Sequence, residues 1–465
     1  MLTKQRSSRS SRLGLLIGLA GVGVGVATGF LVGTNPLYLV LPLGAIPFLF
    51  YFFSNFEQAV IGLLILRSAL DPFSDQQLPA LFAIGLDALT LLYVIVMLLR
   101  RRTVHTDGFW WFLTSWVAFQ GLWLILMALG GLGLDASYLS SSIREWVRLF
   151  SWLMVYLLVM QLKDRFSPDK MISWLFLALV IPLTVGLTQI GTHRMNGTLG
   201  HSNTFATFLL LFLGLTWWKL GHSRSRLPWV LLLGIVAFFY VGTKALFSLI
   251  MLAVFVLVLI APRLNLVNLI GGVLLIALVI GLFMSTEFGQ ERLASIANTP
   301  LLNPDIDISR AILLSYGDQN SFNWRLSHWH LLLKAWEQFP IFGYGLASAQ
   351  PIGNGFLAHN DYVRALVEGG IVGLAAFLAF IVAQFVRLVL LIRSAPQGSR
   401  QGSLCLTLLA ILLSISVGMI TENIWSHTTL FFYWWSLFGV AGWKWNELEL
   451  SQSPASTKTR WQPLS

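Results

Sequence analysis

The stretch "ALFAIGLDALTLLYVIVMLLRRR", Ala80 to Arg102, decides the fold class. One charged residue, Asp87, interrupts the run 80–99, and three arginines close it. A helix of that length rises about 30 Å, the thickness of a bilayer's hydrocarbon core. The arginines at its end mark a cytoplasmic loop, where Lys and Arg collect. Similar apolar runs lie at about 13–33, 37–53, 57–70, 109–130, 146–162, 171–190, 203–220, 227–241, 245–261, 264–285, 370–391, 403–421 and 428–443. The expectation is an all-α polytopic membrane protein of about 12–14 transmembrane helices.

Composition agrees. Of 465 residues, 56% are hydrophobic and 11% charged, with a mean hydropathy of +0.74. Soluble domains carry roughly 25% charged residues. So few polar groups cannot cover a core this apolar in water. The net charge of +10 fits cationic loops on an anionic leaflet, or an anionic substrate, and does not imply nucleic acid. The single cysteine, Cys405, excludes an intrachain disulfide and a cysteine metal cluster.

Placing the N-terminus in the cytoplasm and switching sides at each span puts 20 of the 30 Lys and Arg residues on one face. They include Lys4, Arg6, Arg9 and Arg12, Arg100 to Arg102, Lys163 to Lys170, and Lys444, Lys458 and Arg460 in the tail. Both termini are then cytoplasmic. A glycine ladder at Gly21, Gly25, Gly29 and Gly33 suits a retained, closely packed first helix rather than a cleaved signal. The domain reading is a helix bundle over 1–285, a large extracytoplasmic loop with an interfacial helix over 286–369, further spans over 370–443, and a tail over 444–465.

The remaining polar features fall on the outer face. They are the loop "GTHRMNGTLGHSN" (191–203), Arg144 and Arg148, Lys244 and the long loop. Mid-span charges are few, Asp87 being the main one, which weighs against an ion-coupled carrier.

At the exit of the long loop stands "FLAHNDYVRALVEGGIVGLAAFLAF" (356–380). His359, Tyr362, Val363 and Leu366 share one helical face, and Arg364 and Glu368 form an i,i+4 pair. Gly369 and Gly370 permit a break before the span. The pattern predicts a short interfacial helix with His359 at its start, followed by a bend into the membrane. By spacing alone His359 is either a solvated interfacial residue or a base placed to meet a lipid-linked substrate. Arg194 is likewise a snorkelling anchor or an anion ligand, and Arg325 a solvated or a functional cation.

His359, Asn360, Gly370 and Gly373 fit H-[NSQ]-x9-G-x2-G. Upstream, Arg325, Trp329, Pro340, Gly343 and Gly345 fit R-x3-W…P-x2-G-x-G. Earlier still, Arg194, Gly197, Asn203 and Ala206 fit R-x2-G…N-x2-A. In this order the three blocks resemble the O-antigen ligase and polysaccharide polymerase superfamily. The resemblance covers roughly 194–375. It implies an inverting, metal-independent membrane glycosyltransferase in the bacterial cytoplasmic membrane, with its site outside. Such enzymes move a glycan from undecaprenyl diphosphate to an acceptor sugar, either lipid-linked or on lipid A–core. His359 matches the general base, and Arg194 and Arg325 the arginines that hold the diphosphate. Asn203, Asn360, Gly370 and Gly373 match supporting positions. Thr243-Lys244 stands where many relatives have Ser-Arg, so Lys244 brings a point charge rather than a fork. The variant R-x2-G-T-x2-H-x-N-x2-A leans towards exopolysaccharide polymerases.

The chemistry of these residue types agrees. Arginine forks bind diphosphate oxygens and stabilise the charge that grows as the glycosidic bond breaks. A neutral imidazole takes the proton of a sugar hydroxyl. Trp324 and Trp329, beside Arg325, either stack on sugar or pack. His328 and His330 point to different helix faces, and "NPDIDIS" (303–309) lacks the glycine and closing glutamate of a calcium loop. No metal or cofactor is therefore expected. A transporter for a small anion such as bicarbonate is the alternative function.

Overall fold

In hydrocarbon a backbone N–H or C=O finds no water, so an apolar chain bonds to itself as helix. The computed structural model describes residues 40–445, apart from 135, 192–193, 264, 298, 301–302 and 318–320. Its α-helices are α1 Val40–Ser54, α2 Phe56–Leu66, α3 Leu78–Leu99, α4 Gly108–Ala128, α5 Leu139–Met160, α6 Pro168–Thr188, α7 Ser202–His222, α8 Leu227–Gly242, α9 Leu246–Ile260 and α10 Leu266–Met284. They continue as α11 Glu287–Ala297, α12 Ile308–Gly317, α13 Ser321–Trp336, α14 Ala349–Ile352, α15 Asp361–Ser394, α16 Arg400–Gly418 and α17 Thr428–Ala441. The described residues contain no strand. This is an all-α polytopic membrane protein.

Among the described residues, six helices are long and apolar enough to cross a bilayer alone: α3, α4, α6, α7, α15 and α16. A bent pair, Ile46–Ser54 with Phe56–Ala69 at 116°, makes up to seven. The other expected spans within the described residues also form helices, but shorter or charged ones. α17 has 14 residues, about 21 Å of rise against a ~30 Å core. α5 begins well before the expected 146, and its first turns hold Arg144, Glu145 and Arg148. The first expected span, its glycine ladder and most of the tail lie outside the described residues.

The core is built around α5 and α17, which pack along each other. All but the first residue of α17 are buried, among them Trp434 and Trp435 at 1% and 0% exposure. A helix apolar all round belongs in such a position. α3, α8 and α10 instead present leucine, isoleucine and valine outward, as at Leu81, Val241 and Leu274.

The expected large loop is mostly helical, with α12 packed on α13 and α13 on α15. Its last part is spliced into α15. At Gly370 the helix breaks, with φ 63° and ψ −163°. The segment 340–345 fills the break. Tyr344 and Gly345 donate backbone N–H to Val367 O (3.0 Å) and Glu368 O (2.8 Å). Ile371 and Val372 donate to Pro340 O (2.9 Å) and Ile341 O (3.2 Å). These four bonds take up backbone groups that the break frees, as a buried backbone requires. A Cβ at Gly370 would stand 2.2 Å from Ile341 O, and one at Gly343 2.4 Å from Val367 O. The two glycine motifs thus form one joint. Trp123 closes it, donating Nε1–H to Phe342 O at 2.8 Å and lying against Gly369 and Gly373.

Candidate active site

Three chain segments deliver the expected residues to one place. The first is the loop 194–203, whose backbone is tied to α8 by Met195 N to Gly242 O at 3.1 Å. His201 caps α7, its Nδ1 accepting from Asn203 N at 3.1 Å. Arg194 donates Nε–H to Thr243 O (3.1 Å) and Nη2–H to Asn203 Oδ1 (2.7 Å). Lys244 follows in a left-handed turn (φ 49°), its side chain exposed. It stands beside the carbonyl that holds Arg194.

The second segment is α13, which carries Arg325 and, one turn on, Trp329. Trp329 Nε1–H bonds Ala358 O at 2.7 Å, so α13 is stapled to the residue before His359. That bond assigns Trp329 to packing. Trp324 stacks on buried His328, 4.7 Å between ring centroids, and meets His359 edge-on at 5.7 Å.

The third segment is 356–369, and here the expected helix start is corrected. His359 does not share the helical face of Tyr362 and Val363. It stands outside the helix with φ 50°, and Asn360 is the cap, its Oδ1 accepting from Tyr362 N and Val363 N at 3.0 Å each. The left-handed turn aims the His359 ring away from α15. Arg364 and Glu368 do pair, Nε to Oε1 at 3.0 Å, but in the interior. Arg364 also meets Glu145 at 2.7 Å, Arg148 pairs with the same Glu145, and Arg148 donates to Trp425 O at 2.7 Å. Two arginines and two glutamates thus neutralise one another inside the bundle.

A residue not anticipated from the sequence joins the three segments. Glu422 lies between α16 and α17 and is 3% exposed. Its Oε1 accepts from His359 Nδ1 at 3.2 Å and Asn423 N at 3.1 Å. Its Oε2 accepts from Arg325 Nη2 at 3.3 Å and from Asn203 Nδ2. Asn423 Oδ1 takes the backbone N–H of His359 at 2.7 Å. Burial pushes the Glu422 carboxyl up, but the His359 hydrogen bond and the Arg325 charge outweigh it and hold the group at about 2. Behind it His427 is buried and bonded to Thr207 Oγ1 at 2.9 Å; burial lowers its imidazole to about 4. His359 and Arg325 keep 26% and 22% of their side chains exposed. Among the described residues, no three His, Cys, Asp or Glu side chains group as metal ligands.

Residues 195–378 match the O-antigen ligase family. No curated protein matches the chain. The matched segment contains Arg325 and His359, begins one residue after Arg194, and ends before Glu422. The match supports, for this multi-pass membrane protein, an enzyme of the ligase or polymerase type in general.

Proposed function

We propose that the protein moves a glycan from undecaprenyl diphosphate to an acceptor sugar hydroxyl at the outer face of the bacterial cytoplasmic membrane, building O-antigen or exopolysaccharide. The observation that carries this reading is the meeting of Arg194, Arg325 and His359, from three distant segments, around Glu422. Both arginines take up diphosphate oxygens, with Lys244 adding a point charge at the rim. His359 accepts the proton of the acceptor hydroxyl as its oxygen attacks the anomeric carbon. The bond from that carbon to the diphosphate breaks on the opposite face, the diphosphate leaves with the electron pair, and configuration inverts. The guanidinium groups supply the charge stabilisation that a metal gives in other transferases. A small-anion transporter gains no support from the family match.

The test is transfer from an undecaprenyl-diphosphate glycan by purified protein in liposomes, with EDTA present. His359→Ala should lower the rate by about 10²–10⁴, the usual loss of a general base, while its elution profile and thermal unfolding match wild type. Wild-type turnover by His359→Ala would remove it from the chemistry. Offering lipid A–core and a second lipid-linked repeat as rival acceptors separates ligase from polymerase.

A further inference from the structure

Of the four contacts of Glu422, three come from obligate donors, a backbone N–H, a guanidinium N–H and an amide N–H, and the fourth is the ring Nδ1 of His359. An ionised carboxylate has about four acceptor sites and no proton to give. Every site is taken. An anion so deeply buried is tolerated when its oxygens are all hydrogen-bonded and a cation stands nearby, as Arg325 does.

We propose that Glu422 is the positioning residue of the transfer reaction: it fixes His359 as the Nδ1–H tautomer, leaving the Nε2 lone pair for the acceptor hydroxyl. The inference rests on the proposed role of His359 as base. The partner of Nδ1 can only accept, so Nδ1 must donate. The ring is held at a second point, because the His359 N–H is bonded to Asn423 from the same short loop. Backbone and ring are therefore both set by 422–423, which lies beyond the matched ligase segment. The other titratable or charged groups around His359 are Arg325 and His328 on α13, Arg194 in the loop before α7, His201 at its cap, and His427 behind Glu422. Asp361 lies nearby with its Oδ2 occupied by Trp425 N at 2.8 Å. Of these Glu422 is the group bonded to Nδ1.

Glutamine at this position cannot serve. Four donors face it, and its amide would turn an NH₂ toward two of them. The outcome that relieves most strain points the NH₂ at His359, which makes Nδ1 an acceptor and moves the proton to Nε2. The base is then of the wrong tautomer, and binding is spared.

The experiment has two arms. Solid-state ¹⁵N spectra of histidine-labelled protein in liposomes, in mildly alkaline buffer, report the tautomer; the His359 signals are those lost in His359→Ala. Wild type should show Nδ1–H, and Glu422→Gln should show Nε2–H. In the transfer assay Glu422→Gln should lose about 10²–10⁴ in kcat, the scale on which a wrong tautomer acts in catalytic triads, with acceptor KM within about threefold. Glu422→Asp keeps an acceptor-only group and should recover at least tenfold of that loss. If Glu422→Gln is not recovered folded, the wild-type tautomer and the Asp variant still decide. An Nε2–H tautomer in wild type overturns the proposal, as does an unchanged tautomer or wild-type kcat in Glu422→Gln. Wild-type turnover in His359→Ala together with the expected tautomers would instead overturn the proposed function and leave the geometry standing.

Discussion

The two ends of the bundle both carry buried or half-buried cations, and they treat them differently. At the end opposite the site the cations are tied to carboxylates that are more exposed than Glu422, and one of these, Asp169, has Arg400 at 3.8 Å as well as Lys219. Lys219 meets Asp169 at 2.8 Å and Ser173 at 2.7 Å, and Arg387 meets Asp107 at 2.8 Å, with Tyr156 donating to the same Asp107. At the site end Glu422 alone is shared by His359 and Arg325, with Arg194 one link away through Asn203. A matched pair is finished chemistry and only holds helices together. A shared carboxylate buried as Glu422 is, 4% exposed against 40% for Asp169, leaves positive charge to spare where solvent does not screen it, and a diphosphate is what that excess suits. The buried quartet of Glu145, Arg148, Arg364 and Glu368 shows the same contrast, since it sits close to the site yet balances itself.

Substitutions sharpen the contrast. The largest effect should come from Gly370→Val, which adds a side chain where Ile341 O stands 2.2 Å from the Cβ position and requires a left-handed β-branched residue. We expect a loss of more than about 4 kcal/mol, seen as failure to recover folded protein; a normal yield would show that the joint gives way easily. Next, Arg325→Lys keeps the charge but loses the fork, and should lower kcat/KM for the lipid donor by about 10–10². Full activity in this variant would mean that simple charge suffices at the shared carboxylate. Smallest, Asp169→Asn at the opposite end should leave transfer within about twofold and cost about 1 kcal/mol in thermal unfolding, as for a partly exposed pair. A large loss of transfer there would erase the distinction between the two ends.

Much of this was legible in the sequence because hydrocarbon is an unforgiving solvent. The helices α3, α4, α7 and α16 begin and end within a few residues of the apolar runs; α15 begins nine residues before its run, and its break falls at Gly370. What hydropathy could not show was that charges at 144–148 belong inside α5, since their partners Arg364 and Glu368 lie over 200 residues away in the chain. His359 was recognisable by its neighbours, but its left-handed backbone was not, because no local spacing encodes it. Glu422 gave the weakest signal. One of 20 acidic residues, it sits in "TENIWSH" between two apolar runs with no periodic partner. An acid in so short a loop on the face already rich in cations was the available clue.

The placement of Glu422 and Asn423 between the last two helices has a consequence for the timing of biogenesis. The chain leaves the ribosome with Arg194, Arg325 and His359 already made, but without the acceptors that hold His359 in place. Until the final hairpin inserts, the nascent enzyme carries every motif residue and no assembled site. On the proposed role of Glu422, a copy truncated before residue 422 should be inactive in transfer.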